Sequence, residues 1–133
     1  ASEKYPDRAI CYRGRMVDKS LNYRNTRIIM YQNKNIDIVT GCRGVLYKKH
    51  FFKTEFFQFE KHPKSKFVDD IWISGNLAKN SIKRICIEGT PTEPLNRAKR
   101  THRLFAINRN GNNDSMIKFF EKYLVTLGFF LAA

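Results

Sequence analysis

Acidic side chains are scarce in this chain: 12 Asp and Glu stand against 25 Lys and Arg, a formal net charge of +13 over 133 residues. That imbalance disfavours cationic partners and favours a polyanionic one, such as nucleic acid, an acidic membrane face or a phosphorylated small molecule. The sign alone does not choose among the three. Long apolar runs are also missing. The tail "YLVTLGFFLAA", residues 123–133, falls well short of the roughly 20 residues that a membrane-spanning helix needs, and it reads as packing surface against a segment or domain outside this chain. Cysteine is sparse: Cys11, Cys42 and Cys86 lie far apart, in no CxxC pair and in no ligand spacing with His50, His62 or His102. This spacing argues against a disulfide framework or a zinc motif and implies reduced thiols in the cytoplasm. The opening "ASEKYPDR" is polar, has no apolar core of a signal peptide and carries no initiator Met. It fits a processed or excised piece, and a cloning scar has the same appearance. No internal repeat and no low-complexity segment is present.

What is present is enough apolar and aromatic material, 42% and 14%, for one domain, or part of one, with a real core. "RAICYRGRMV" (8–17) mixes apolar and basic residues near period two, which predicts a strand, and the polar "DKSLNYRN" after it predicts a loop. "NIDIVTG" (35–41) is a short β-branched run closed by Gly41, and "RGVLYKKHFF" continues it past Gly44 into a second extended piece and a short helix. "KHPKSK" (61–66) marks a surface connection. From Val68 the apolar positions Val68, Ile71, Trp72, Leu77 and Ala78 follow helical spacing, so Asp69 and Asp70 fall in a first helical turn. "SIKRICIE" (81–88) alternates like a strand, and 89–103 is a long, basic, turn-rich connection. A last helix is announced by "NND" at 112–114 as its cap, carried by Met116, Phe119, Phe120, Tyr123, Leu124 and Leu127, and stopped by Gly128. Strands and helices interleave, so the expected class is α/β with a mixed sheet and flanking helices.

Three constellations carry potential chemistry, each beside an ordinary explanation. Acids in a first helical turn interact favourably with the positive end of the helix dipole; the functional alternative makes one of them a general base that takes a proton from an attacking hydroxyl. Neighbours on a helix point about 100° apart, so Asp69 and Asp70 divide into one structural and one catalytic residue. "TGCRGVLY" (40–47) puts Gly41 and Gly44 at a strand end, where glycine permits either a simple turn or the close approach of backbone amides to a phosphate or sugar. Arg97, Lys99, Arg100, His102 and Arg103 form either a solvated basic loop or a clamp on a diphosphate or a nucleic-acid backbone. Trp72 and the many Phe fall at core periodicities and read as packing.

The order "YPDRAICYRGR", "NIDIVTGCRGVLYKKHFF", "FVDDIWISGNLAKNSIKR", "LFAINRNGNNDSMIKFFEKY" resembles the second half of a GT-A fold glycosyltransferase of the kind found in bacterial capsule clusters and in large DNA viruses, including those of algae. The resemblance spans nearly the whole chain, and TGxxGVLY followed by DDIW is its most specific element. It implies a transferase that moves a sugar from a UDP- or GDP-sugar donor to a hydroxyl of a glycan or glycoprotein acceptor, inverting the anomeric centre, with Asp70 as base and Asp69 in support. In this reading Asp69 caps the helix. It further implies that Thr40, Gly41, Cys42, Arg43, Gly44 and Trp72 line the sugar and acceptor cleft, and that His102 or another residue of the 97–103 segment, Arg100 and Arg103 among them, lies near the diphosphate. Mn²⁺ or Mg²⁺ would hold the diphosphate, with His102 as an additional ligand.

The metal-binding D-x-D element of that family lies upstream of "YPDR", and no D-x-D occurs in this chain. Residues 1–133 therefore resemble a single partial domain, the C-terminal, acceptor-side part of a larger catalytic domain, expected to be inactive alone, cytoplasmic (host cytoplasm if viral), without a transmembrane segment and without a nucleic-acid partner. The alternative is a basic nucleic-acid-binding module, motivated by the net charge and by basic residues interleaved with Tyr and Phe. Against it, the chain has no helix-turn-helix, zinc-finger, RRM or KH signature, and its positive charge is scattered rather than gathered in one stripe.

Overall fold

A computed structural model describes residues 1–91, 108 and 111–124. The chain is mixed α/β, and its described residues form two small sheets, a series of 3-10 turns and two α-helices. Strands β1 (Arg8–Cys11), β2 (Arg13–Met16), β3 (Arg27–Met30), β4 (Lys34–Asn35), β5 (Ile38–Val39), β6 (Val45–Leu46) and β7 (Lys83–Cys86) are joined by helix α1 (Asp69–Lys79), and helix α2 (Asn112–Phe119) follows β7. The first sheet runs β4-β7-β1-β6 and the second β3-β2-β5. β1 and β7 pair in parallel, with Cys11 opposite Cys86, while every other pairing among the described residues is antiparallel. A mixed sheet is present, as expected, but there are two sheets rather than one.

The stretch 8–17 is not one strand. It breaks at Tyr12, because Ala9, Ile10 and Cys11 are buried in the first sheet while β2 pairs with β3 and β5 in the second. Gly14 lets β2 approach its neighbour: a Cβ there would lie 2.1 Å from Ile36 Cδ1 and 2.8 Å from the Ile38 carbonyl oxygen. The Phe-rich segment after β6 forms 3-10 turns at Lys49–Phe51, Thr54–Phe57, Phe59–Lys61 and Ser65–Phe67. Its Phe51 and Phe56 are buried, whereas Phe57 and Phe59 remain exposed.

Helix α1 begins at Asp69 as its apolar spacing predicts, and it packs on α2 and β5 through Val68, Ile71, Trp72, Met116, Ile117 and Phe120. Two capping expectations are corrected. Val68 occupies the N-cap of α1 with no side-chain capping bond, so Asp69 is an exposed first-turn residue and not the cap. Gly111, in the left-handed region at φ 86°, occupies the N-cap of α2, again without a capping side chain. Asp114, read as part of that cap, instead accepts the Tyr23 backbone N–H at 2.8 Å and ties α2 to the turn at 23–25. Residues 92–107, among them Arg97, Lys99, Arg100, His102 and Arg103, residues 109–110, and residues 125–133, with Leu127 and Gly128, lie outside the described residues.

Candidate active site

Asp70 and Ser74 stand one turn apart on the face of α1 that meets β5. Ser74 Oγ accepts the Val39 N–H at 3.0 Å, and Asp70 Oδ1 accepts the Gly41 N–H at 3.1 Å. The spacings match: four helical residues rise about 6 Å and two extended residues span about 6.7 Å. Two side chains of a helix thus satisfy amides at the end of β5, and the DDIW and TGCRG segments, widely separated in sequence, become one site.

Around that contact the geometry is specific. The chain turns through the 3-10 element Gly41–Arg43, closed by the Gly44 N–H donating to the Gly41 carbonyl at 3.0 Å. Gly44 sits at φ 96°, which only glycine adopts without strain, so its role is the turn. Thr40 is buried, and its hydroxyl bonds the Arg13 carbonyl at 3.0 Å. Arg13 Nη1 in turn lies 3.2 Å from Thr40 Oγ1 and 3.5 Å from Cys42 Sγ. Arg13 and Arg15 alternate on β2 and so share one face of it. Arg15 donates to Thr26 Oγ1 at 2.9 Å and lies over the Tyr23 ring at 4.2 Å, while its Nε is buried without a hydrogen-bond partner.

This surrounding sets the proton affinity of Asp70. Burial first, and the neighbouring Asp69 second, push its carboxyl up to about 6; the Gly41 N–H and the charges of Arg13 and Arg15 act the other way. Tyr47, also near the acids, is held in its phenol form, chiefly by burial and then by the charges of Asp70 and Asp69. A half-buried carboxylate with its pKa near neutrality, beside two arginines, is chemically suited to accept a proton.

Of the residues singled out from sequence, Asp69, Asp70, Thr40, Gly41, Cys42, Arg43 and Gly44 belong to the two segments that meet here. Trp72 lies apart from this contact, in the core. It is 2% exposed, donates its indole N–H to the Phe56 carbonyl at 2.9 Å, and packs against Phe59, Phe119 and Phe120. Helical spacing explains this, since Trp72 is two residues from Asp70 and points to the core side. Arg13, Arg15 and Tyr47 were not singled out; the alternation of two basic residues about Gly14 is the signal that marks the arginines. Among the described residues no group of three or more His, Cys, Asp or Glu side chains could hold a metal ion. No helix among them is long and apolar enough to cross a membrane.

Comparison with known protein families, with curated proteins and with solved structures finds no match to this chain.

Proposed function

We propose that this chain is the acceptor-side part of a glycosyltransferase that uses a nucleoside-diphosphate sugar, with Asp70 as the base that deprotonates the acceptor hydroxyl. The observation that carries the reading is the contrast between Asp70 and Ser74. Both side chains perform the same docking task on β5, and Ser74 does it without charge. Docking alone would be served by a neutral acceptor. A carboxyl at position 70, where burial and Asp69 both oppose ionisation, has a further use if its task is to collect a proton.

In this reading the acceptor hydroxyl approaches Asp70, its proton passes to the carboxylate as the oxygen attacks the anomeric carbon, and the nucleoside diphosphate departs on the opposite face. Arg13 and Arg15 favour the ionised form of Asp70 that is needed at the start. The resemblance of the DDIW and TGxxGVLY segments to GT-A enzymes supports the assignment of the reaction class, and with it the dependence on Mn²⁺ or Mg²⁺.

The test is Asp70→Asn in the full natural polypeptide that carries this sequence, assayed for transfer from UDP- and GDP-sugars with Mn²⁺ present. The amide keeps an oxygen for the Gly41 N–H, so the fold should persist, while loss of the base should lower turnover by roughly 10²- to 10⁴-fold. Wild-type turnover should rise with pH through about 6 and then level, following the Asp70 carboxyl. Near-normal transfer by a folded Asp70→Asn protein would remove Asp70 from the chemistry.

A further inference from the structure

Beside Tyr23, whose ring Arg15 covers, lies a cavity of about 290 Å³. Its walls come from two regions distant in sequence: Asn22, Tyr23 and Arg24 on the turn before β3, and Asn108, ahead of α2, with Asn113 and Asp114 in the first turn of α2. The walls are tied to each other where Asp114 Oδ1 accepts the Tyr23 N–H at 2.8 Å, and the first wall is braced internally where the Asn22 carboxamide oxygen accepts the Arg24 N–H at 2.9 Å. Arg15 stacks on the Tyr23 ring and also acts electrostatically on Asp70, which connects this cavity to the candidate active site.

We propose that this cavity binds one saccharide unit through its hydroxyl groups. Three features select that ligand. The volume lies at the lower end of small-molecule sites, about 300 to 1,000 Å³, which suits a single sugar ring better than a nucleotide. Three carboxamides line it, and each carries both a donor and an acceptor, which is what vicinal hydroxyls, themselves donors and acceptors, require. The charges of Arg24 and Asp114 offset each other, so in a chain of net charge +13 this cavity has no bias toward an anion. Asn113 has no side-chain hydrogen-bond partner among the described residues and is the amide most available to a ligand. That the bound sugar is the acceptor rests on the transferase reading; that the cavity takes a sugar does not.

The test is a titration of the isotope-labelled 133-residue chain, followed by ¹H–¹⁵N correlation spectra, with methyl β-glucopyranoside, methyl β-galactopyranoside, methyl α-mannopyranoside and N-acetylglucosamine, and with sodium phosphate as the competing chemistry. The expected result is saturable shifts of the Asn22 and Asn113 side-chain amides with at least one sugar. Asn113→Ala or Arg24→Ala should weaken that binding about tenfold, the order expected for one lost hydrogen bond to a ligand, and Lys83→Ala, at the one exposed residue of β7, should not change it. Melting temperatures identify any variant that fails to fold, and the other is then read. No saturable shift with any of the four sugars, shifts with phosphate alone, or sugar shifts indifferent to both variants would each overturn the proposal. Should Asp70→Asn leave transfer intact while the sugar titration persists, the transferase mechanism fails and the cavity assignment stands.

Discussion

Asp37 offers a test of the core that does not depend on function. Its side chain is 2% exposed, and its Oδ2 accepts the Val17 N–H at 2.7 Å. Arg84, equally buried, donates Nε to the Asp37 backbone carbonyl at 2.8 Å and Nη1 to the Ile82 carbonyl at 2.6 Å. Burial dominates the balance and raises the Asp37 carboxyl from 3.8 to about 6, against the Val17 hydrogen bond and the Arg84 charge. The folded state thus holds this proton more tightly than the unfolded chain does. Its stabilising contribution is full below about pH 4 and is lost as pH rises through about 6. A shift of about two units corresponds to about 3 kcal/mol. Asp37→Asn keeps an acceptor for Val17 and cannot ionise, so the stability of the wild type relative to this variant should fall by about that amount between pH 4 and pH 7. Urea unfolding across that range measures the difference, and subtracting the variant removes the contributions of Asp70 and the other carboxyls. A difference constant to within about 0.5 kcal/mol, comparable to the extrapolation error, would show that Asp37 is solvated or is fully compensated by Arg84.

Gly75 has a sharper steric role: a Cβ there would lie 2.2 Å from the Phe120 ring. Gly75→Ala should therefore separate α1 from the end of α2 and lower stability by about 1 to 3 kcal/mol, despite the better helix propensity of alanine; an unchanged melting temperature would mean that Phe120 is free to turn aside. Cysteine accessibility separates the thiols. Cys42 is exposed whereas Cys11 and Cys86 are buried, and burial pushes the Cys11 thiol up to about 12. Iodoacetamide should add one label to the folded chain, at Cys42, and three after unfolding, as counted by mass spectrometry; prompt labelling of Cys11 or Cys86 in the folded chain would contradict the β1–β7 pairing.

Local pattern made part of this fold legible. The apolar spacing from Val68 located α1 and put the two acids in its first turn, and the alternation of Ile85 with Ile87 located β7. The break at Tyr12 was not legible, because near-period-two pattern runs through it without a turn residue. Only the pairing of Cys11 with Cys86 and of Met16 with Arg27 assigns its two halves to different sheets, and such pairings are long-range. The aromatic segment 51–59 was opaque for a related reason: 3-10 turns have no strong sequence period, so nothing local distinguishes buried Phe56 from exposed Phe57.

The site divides along the same line. Position 70 was marked by its chemistry, an acid in a basic chain, yet its partner was not, since a backbone N–H at Gly41 carries no residue signature. The docking pattern is simple in retrospect: acceptors at positions 70 and 74 of a helix meet amides at 39 and 41 of a strand end, and the two periods agree. Arg13 and Arg15 were lost among 25 basic residues. Their significance comes from the second sheet, which gives β2 a neighbour in β5 and so carries their shared face toward Thr40 and Asp70. Net charge therefore says little about this protein's chemistry, and the position of two positive charges beside one reluctant carboxyl says more. Neutralising Arg13 and Arg15 should raise the proton affinity of Asp70, whereas removing any two exposed lysines should leave it unchanged.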